Sequence, residues 1–222
     1  MIAHISYLCA MVKYLLSAII AIVCVATGSH SSQDERLFNG KDLSNWAFVV
    51  AGNAVPSDSV FSVKDGAILI QGAPFGYMYT KKKYRNYRLS LEWSWVDEPS
   101  NSGIFLIIEQ TDNPFPKGIE CQLKAGSAGD LVLLGGSDMM EYKQPEGQNR
   151  PRIPIIPKRE ESSEKAPGAW NHTLITVHEG FISVYINDVL QNSGTSVAKE
   201  GHIGLQSEGK RIQFRNVKID LL

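Results

Sequence analysis

Between Tyr87 and Trp95 the chain alternates without a break. Tyr87, Leu89, Leu91, Trp93 and Trp95 fall on one side, and Arg88, Ser90, Glu92 and Ser94 on the other. A period of two over such a length fits a strand with one buried face and does not fit a helix. The pattern returns at Ile119, Cys121 and Leu123 against Glu120, Gln122 and Lys124. Between them runs the apolar segment Gly103–Glu109. The region reads as three consecutive antiparallel strands whose apolar face belongs to the core. Its other face carries Glu92, Glu120, Gln122 and Lys124, with Glu92 expected in the same sheet as Glu120.

The rest of the chain reads in the same way. Trp46, Phe48 and Val50 alternate. Val60–Val63 and Ala67–Ile70 flank Lys64-Asp65-Gly66, a hairpin tip. Gly76–Thr80 and Leu131–Leu134 are short strands, and Lys81-Lys82-Lys83 reads as a solvated edge. His172–His178 and Phe181–Ile186 pair through Glu179-Gly180, and Val217, Ile219 and Leu221 alternate near the end. No segment from residue 29 on keeps a period of 3.6. About thirteen short strands without a helix make the fold class all-β, a β-sandwich. Residues 141–168 break the pattern with five prolines and dense charge. We expect a loop insertion there, lying over one end of the sandwich and outside either sheet.

The length of 222 residues suits one such domain plus a leader. Residues 1–28 hold no acid and one strong base, Lys13. Tyr14–Ala26 is almost wholly apolar and ends in Ala26-Thr27-Gly28. This reads as a signal peptide. The run falls short of the roughly 20 residues that span a bilayer. An uncleaved N-terminal anchor is the alternative, and a lipid-modified Cys24 is disfavoured by Ile22-Val23 before it. Export to the periplasm or cell surface is expected, with 29–35 as a polar tether and 36–222 as the domain. The formal charge of −1 gives no field for nucleic acid. Cys9 and Cys24 fall in the leader, so Cys121 stands alone in the domain and reads as a small buried hydrophobe.

Five stretches, taken in order, are similar to one family. They are Leu37–Trp46 (LFNGKDLSNW), Leu91-Glu92-Trp93 with Asn101–Phe105 (NSGIF), Gly118–Gln122 (GIECQ), Trp170-Asn171, and Gly201–Gly209 (GHIGLQSEG) with Phe214–Val217 (FRNV). The whole domain resembles the DUF1080, or 3-keto-disaccharide hydrolase, family. The resemblance implies a concanavalin A-like jelly-roll β-sandwich of two curved antiparallel sheets with a sugar site on the concave face. It also implies cleavage of glycosides oxidised to a ketone at C3, by bacteria that degrade glycans. Many members carry Asp-His-Gly where this chain has Ser207-Glu208-Gly209, so a histidine acid or base is absent at that point.

The candidate catalytic residues are Glu120, Glu92, Glu208 and Arg215. Glu120 is the expected base or metal ligand, and Glu92 or Glu208 the acid or second base. Arg215 and Lys124 would stabilise developing charge. Asn101, Ser102, Gln122, Gln206 and Trp170 would bind the sugar. Each has a plainer reading: a surface carboxylate, a turn, a salt bridge or a core aromatic. No cofactor is required by the sequence, and a divalent cation held by Glu92 and Glu120 is chemically open. The leading function is cleavage of 3-keto-glycosides. A ketone at C3 acidifies the C2 proton and places the C1 substituent β to it. A lectin-like carbohydrate-binding module is the alternative. A two-carboxylate glycosidase ranks last, because the chain has no E-x-D-x-E strand.

Overall fold

The computed structural model describes residues 34–222. In chain order the strands are β1 (Asp34–Arg36), β2 (Trp46–Val50), β3 (Phe61–Lys64), β4 (Ala67–Ile70), β5 (Gly76–Thr80), β6 (Tyr87–Trp95), β7 (Gly103–Gln110) and β8 (Lys117–Gln122). Then come β9 (Leu131–Leu134), β10 (Ile155–Ile156), β11 (Asn171–His178), β12 (Phe181–Ile186), β13 (Val189–Thr195), β14 (His202–Ser207) and β15 (Ile212–Leu221). The described residues contain two single turns of 3-10 helix and no α-helix. None of their helices is long and apolar enough to cross a membrane.

Two antiparallel sheets result. One has the order β13-β12-β11-β6-β15-β4-β3, with β1 also paired to β15. The other has the order β10-β9-β8-β7-β14-β5-β2. Their inner faces meet in one core. Leu89, Leu91, Trp93 and Trp95 come from the first sheet, and Ile104, Ile107, Ile119 and Cys121 from the second. Each fully buried large apolar side chain contributes roughly 1.5–3 kcal/mol relative to exposure. Two of the buried aromatic polar atoms are matched: Trp93 Nε1 donates to Thr173 Oγ1 at 3.0 Å, and the Tyr87 hydroxyl to Leu106 O at 2.7 Å, whereas Trp95 Nε1 has no partner within the protein. Cys121 is buried and unpaired, as its alternation predicts.

Three expectations change. First, β6 and β8 lie in different sheets, because the chain crosses the sandwich between β6 and β7. Period two fixes which side chains face the core but not which sheet a strand joins. Second, part of the expected tether is structural. Asp34, Glu35 and Arg36 pair with Asp220, Ile219 and Lys218. The expected leader and the remainder of the tether lie outside the described residues. Third, the 141–168 segment contributes an edge strand. Ile155 and Ile156 pair with Val132 and Leu131. The segment is also tied down on both sides. Lys158 N donates to Asp130 Oδ1 at 2.8 Å, and Asn192 Nδ2 donates to Ile156 O at 2.9 Å. It is an integral wall of the sandwich end rather than a loose lid.

Candidate active site

The outer face of the seven-stranded sheet is not simply solvated. A second apolar cluster sits on it: Tyr77, Phe105, Ile108, Val132 and Leu134. Register places Glu120 in its midst, opposite Phe105 on β7 and Val132 on β9. Glu120 is 2% exposed. Gly103, at the start of β7, explains how it fits. A Cβ built on Gly103 would overlap the Glu120 carboxyl. The glycine of Asn101-Ser102-Gly103 is therefore required by space, since its backbone is not left-handed.

Glu120 Oε1 is buried and has no hydrogen-bond partner within the protein. Burial, and then the negative charge of Glu208, push its pKa from the usual carboxylate range up to about 8. Glu208 is half-buried and is also shifted upward, by burial. A hydrogen bond from Asn101 and the charge of Lys124 hold that shift back. Asn101 and Glu208 face each other across an antiparallel bridge. Two more acceptors in the same cleft, Asn101 Oδ1 and Gln206 Oε1, are buried without partners. A buried polar atom left unpaired costs roughly 1–3 kcal/mol. Five such side-chain atoms occur among the described residues, and three line this one cleft. Their grouping points to a ligand rich in hydroxyl donors.

The cleft has a volume of about 330 Å³. It brings together six of the ten residues expected from sequence: Asn101, Glu120, Gln122, Lys124, Gln206 and Glu208. Gln122 Oε1 accepts from Leu123 N and Lys124 N, each at 3.0 Å, which shapes the turn after β8. That fixes the side chain and leaves its amide N–H groups for a ligand. Ser102 is buried, and its hydroxyl donates to Gln206 O at 2.9 Å. It ties the entry of β7 to β14 and does not line the cleft.

Glu92, Arg215 and Trp170 are not part of this arrangement. Glu92 and Arg215 are cross-strand partners on β6 and β15, in the other sheet. They alternate with core residues there, so they face away from the Glu120 side of the sandwich. Arg215 Nε lies 2.5 Å from Glu92 Oε2, and its guanidinium carbon lies 3.9 Å from the Trp170 ring centroid. Burial pushes the Glu92 carboxyl up, but hydrogen bonds from Arg215 and Asn216 outweigh it and leave the pKa below the usual value. Glu92 and Arg215 form the cross-strand ion pair of their plainer reading, while Trp170 is a half-buried ring stacked on Arg215 and not the core aromatic of its plainer reading. Glu92 and Glu120 cannot share a cation across the sandwich. Among the described residues, no group of three or more His, Cys, Asp or Glu side chains is placed to hold a metal ion. The oxygens of Asn101, Glu120, Gln206 and Glu208 are the hard-donor set that could take one.

Sequence reasoning missed the far side of the cleft, formed by Val132, Leu134, Phe115, Ile153 and Ile155. One signal for it was present. Leu131–Leu134 is apolar at every position, which marks a strand covered on both faces. Phe115 and the two isoleucines sit in segments without periodicity and gave no such signal.

Comparison with known proteins agrees with the fold. Residues 33–220 match the model of the 3-keto-alpha-glucoside-1,2-lyase-like domain. The chain belongs to that family. A Bacteroides thetaiotaomicron protein named 3-keto-disaccharide hydrolase is 25% identical, over 84% of this chain and 77% of its own. Solved structures share the fold. The Bacillus subtilis carbohydrate-binding module CBM66 superposes with a TM-score of 0.58 at 10% identity, over 79% of this chain and 95% of its own. The Bacillus licheniformis β-glucanase gives 0.54 at 11%, over 84% and 96%. The sandwich is thus a jelly roll of the concanavalin A-like kind.

Proposed function

We propose that this chain is an enzyme that cleaves 3-keto-glycosides in the Glu120 cleft. The observation that carries the reading is the pair of carboxyls in one cleft, one fully buried with a pKa near 8 and one half-buried at its side. Family membership and the name of the Bacteroides relative support the substrate class.

The two carboxyls take the roles that their surroundings favour. From sequence, Glu120 was the expected base. Its raised pKa reverses that assignment. Below about pH 8 it is a neutral acid in an apolar setting. It can donate a hydrogen bond to the C3 ketone oxygen, one that strengthens as negative charge develops there. Glu208 ionises more readily and acts as the base at C2. Electrons from the C2–H bond form the enolate, whose collapse expels the C1 aglycone and leaves a C1=C2 enone. Lys124, beside Glu208, supplies positive charge toward the departing oxygen, which takes up the proton that Glu208 removed from C2. Addition of water returns a proton to C2 and a hydroxyl to C1, so the net change is hydrolysis. Asn101 Oδ1 and Gln206 Oε1 accept from sugar hydroxyls, and the Gln122 amide donates.

The test is a paired incubation with a 3-keto-glucoside and its parent glucoside, each deuterated at C2. Consumption of the ketone alone, with deuterium lost to solvent, is expected. Cleavage of the parent with deuterium retained would indicate an ordinary glycosidase. Binding of either without cleavage would indicate a carbohydrate-binding module.

A further inference from the structure

The cleft has two chemically distinct halves. The Glu120 half is lined by amide and carboxyl groups. The other half runs past Val132 and Leu134 on β9, between Phe115 on one side and Ile153 and Ile155 on the other. Phe115, Ile153 and Ile155 are 40%, 40% and 44% exposed, large apolar side chains held in solvent beside a reaction cleft. This half continues into a second cavity of about 310 Å³ through Phe115, Leu134 and Ile153, whose remaining lining is Asn113, Gly135, Gly136 and Arg152.

The slot is built rather than incidental. The Phe115 ring stacks on Phe75 with centroids 4.2 Å apart and planes 22° apart. Phe115 N is fixed by Asn113 Oδ1 at 3.0 Å. On the opposite wall, Ile155 is set by its pairing with Val132. Leu133 N donates to Pro154 O at 2.9 Å, which holds the Ile153–Ile155 segment against β9.

We infer that this half is the aglycone subsite and that it takes a planar aromatic aglycone, making aryl 3-keto-glucosides the substrate class. The inference rests on the reading of the cleft as a 3-keto-glycoside site. A second sugar here would bring several hydroxyls against Phe115, Val132, Leu134, Ile153 and Ile155, whose side chains offer no hydrogen-bonding group, and unpaired polar groups are strongly disfavoured. A flat ring between a fixed phenylalanine face and branched aliphatic side chains buries its apolar surface without that penalty. Arg152 and Asn113 in the second cavity suit a phenolic hydroxyl or carboxylate on the ring. The 141–168 insertion, which supplies Ile153, Ile155 and Arg152, thereby acquires a role in selecting the leaving group.

The test uses the full domain and two substrates sharing one 3-keto-glucosyl unit, a phenolic glucoside and a disaccharide. Phenols leave more readily than sugars, so the informative quantity is the change between wild type and variant for each substrate. Ile153→Asn and Phe115→Asn each place a polar group in the slot. They should lower kcat/KM for the phenolic substrate about tenfold or more, as expected for loss of an apolar contact. The disaccharide should lose distinctly less. Unchanged melting temperatures show that the variants are folded. If both substrates lose equally, or the disaccharide loses more, the aglycone inference is overturned while the reaction stands. If the wild type consumes neither ketone, the reaction assignment fails and the inference falls with it.

Discussion

Replacing Glu120 with glutamine gives a prediction in which stability and activity move in opposite directions. The folded-state pKa of about 8 lies well above the reference value of 4.5. A carboxyl with a raised folded pKa favours the folded state fully below pH 4.5. That contribution is lost as pH rises toward 8 and is constant above it. At 1.36 kcal/mol per unit, the gap between pH 4.5 and pH 7 corresponds to a penalty on the order of 3 kcal/mol for wild type. Glutamine keeps the shape and cannot ionise. Glu120→Gln should therefore melt close to wild type at pH 5 and above it at pH 8. The difference should be roughly 2–4 °C per kcal/mol for a domain of this size. Turnover of a 3-keto-glucoside should fall about 10²–10³-fold, the usual effect of losing a donor to a developing oxyanion. Thermal melts of both proteins from pH 4.5 to 9, with turnover measured on the same samples, make the assay. Parallel melting curves would show that Glu120 titrates normally and would refute the burial argument. A folded variant with normal turnover would remove Glu120 from the mechanism.

Two further predictions concern Gly103 and Glu92, and one concerns pH. Gly103→Ala places a methyl group where the Glu120 carboxyl lies; it should cost about 1–3 kcal/mol by overpacking, and turnover should fall as Glu120 is displaced, read by denaturant melts and kinetics. Glu92→Gln should change stability by less than about 1 kcal/mol, as for other partly exposed ion pairs, and leave turnover intact; a loss of activity in a folded Glu92→Gln protein would return the opposite face to consideration. The kcat/KM profile should be bell-shaped, rising as Glu208 ionises above the usual carboxylate range and falling near pH 8 as Glu120 loses its proton. A Glu120→Gln profile that keeps the same falling limb would assign that limb to another group.

Most of the strands could be read directly, because side-chain period and turn residues are local properties. Lys64-Asp65-Gly66 marks the β3–β4 hairpin, and Asp65 and Gly66 both adopt positive φ there. The inner face was equally legible, since Trp93, Trp95, Ile119 and Cys121 are all buried. Sheet membership was not legible. It depends on where a connection crosses the sandwich, and Val96–Ser102 carries no residue that encodes the crossing. The polar half of the cleft was found because Glu120, Gln122, Gln206 and Glu208 repeat at period two on strands that do share a sheet. Ser102 was placed in the cleft because its position in a turn says nothing of its partner, the carbonyl of Gln206.

Glu92 and Glu120 show what the sequence pattern leaves undetermined. Each alternates with core residues in a central strand, and each was a candidate for the same chemistry. Their neighbours decide between them. Across the strand from Glu92 stands Arg215, with Asn216 adding a hydrogen bond at 3.2 Å. That carboxyl is satisfied, charged and held below its usual pKa. Across from Glu120 stand Phe105 and Val132, and on its own outer face lies the space left by Gly103. That carboxyl is unsatisfied, and burial favours its neutral form. A satisfied ion pair has little to offer a ligand, since binding would first have to break it. An unsatisfied buried acid recovers part of its desolvation cost when a polar ligand arrives, and more as that ligand becomes negative. The destabilised group, rather than the well-paired one, is therefore the one equipped to stabilise an enolate.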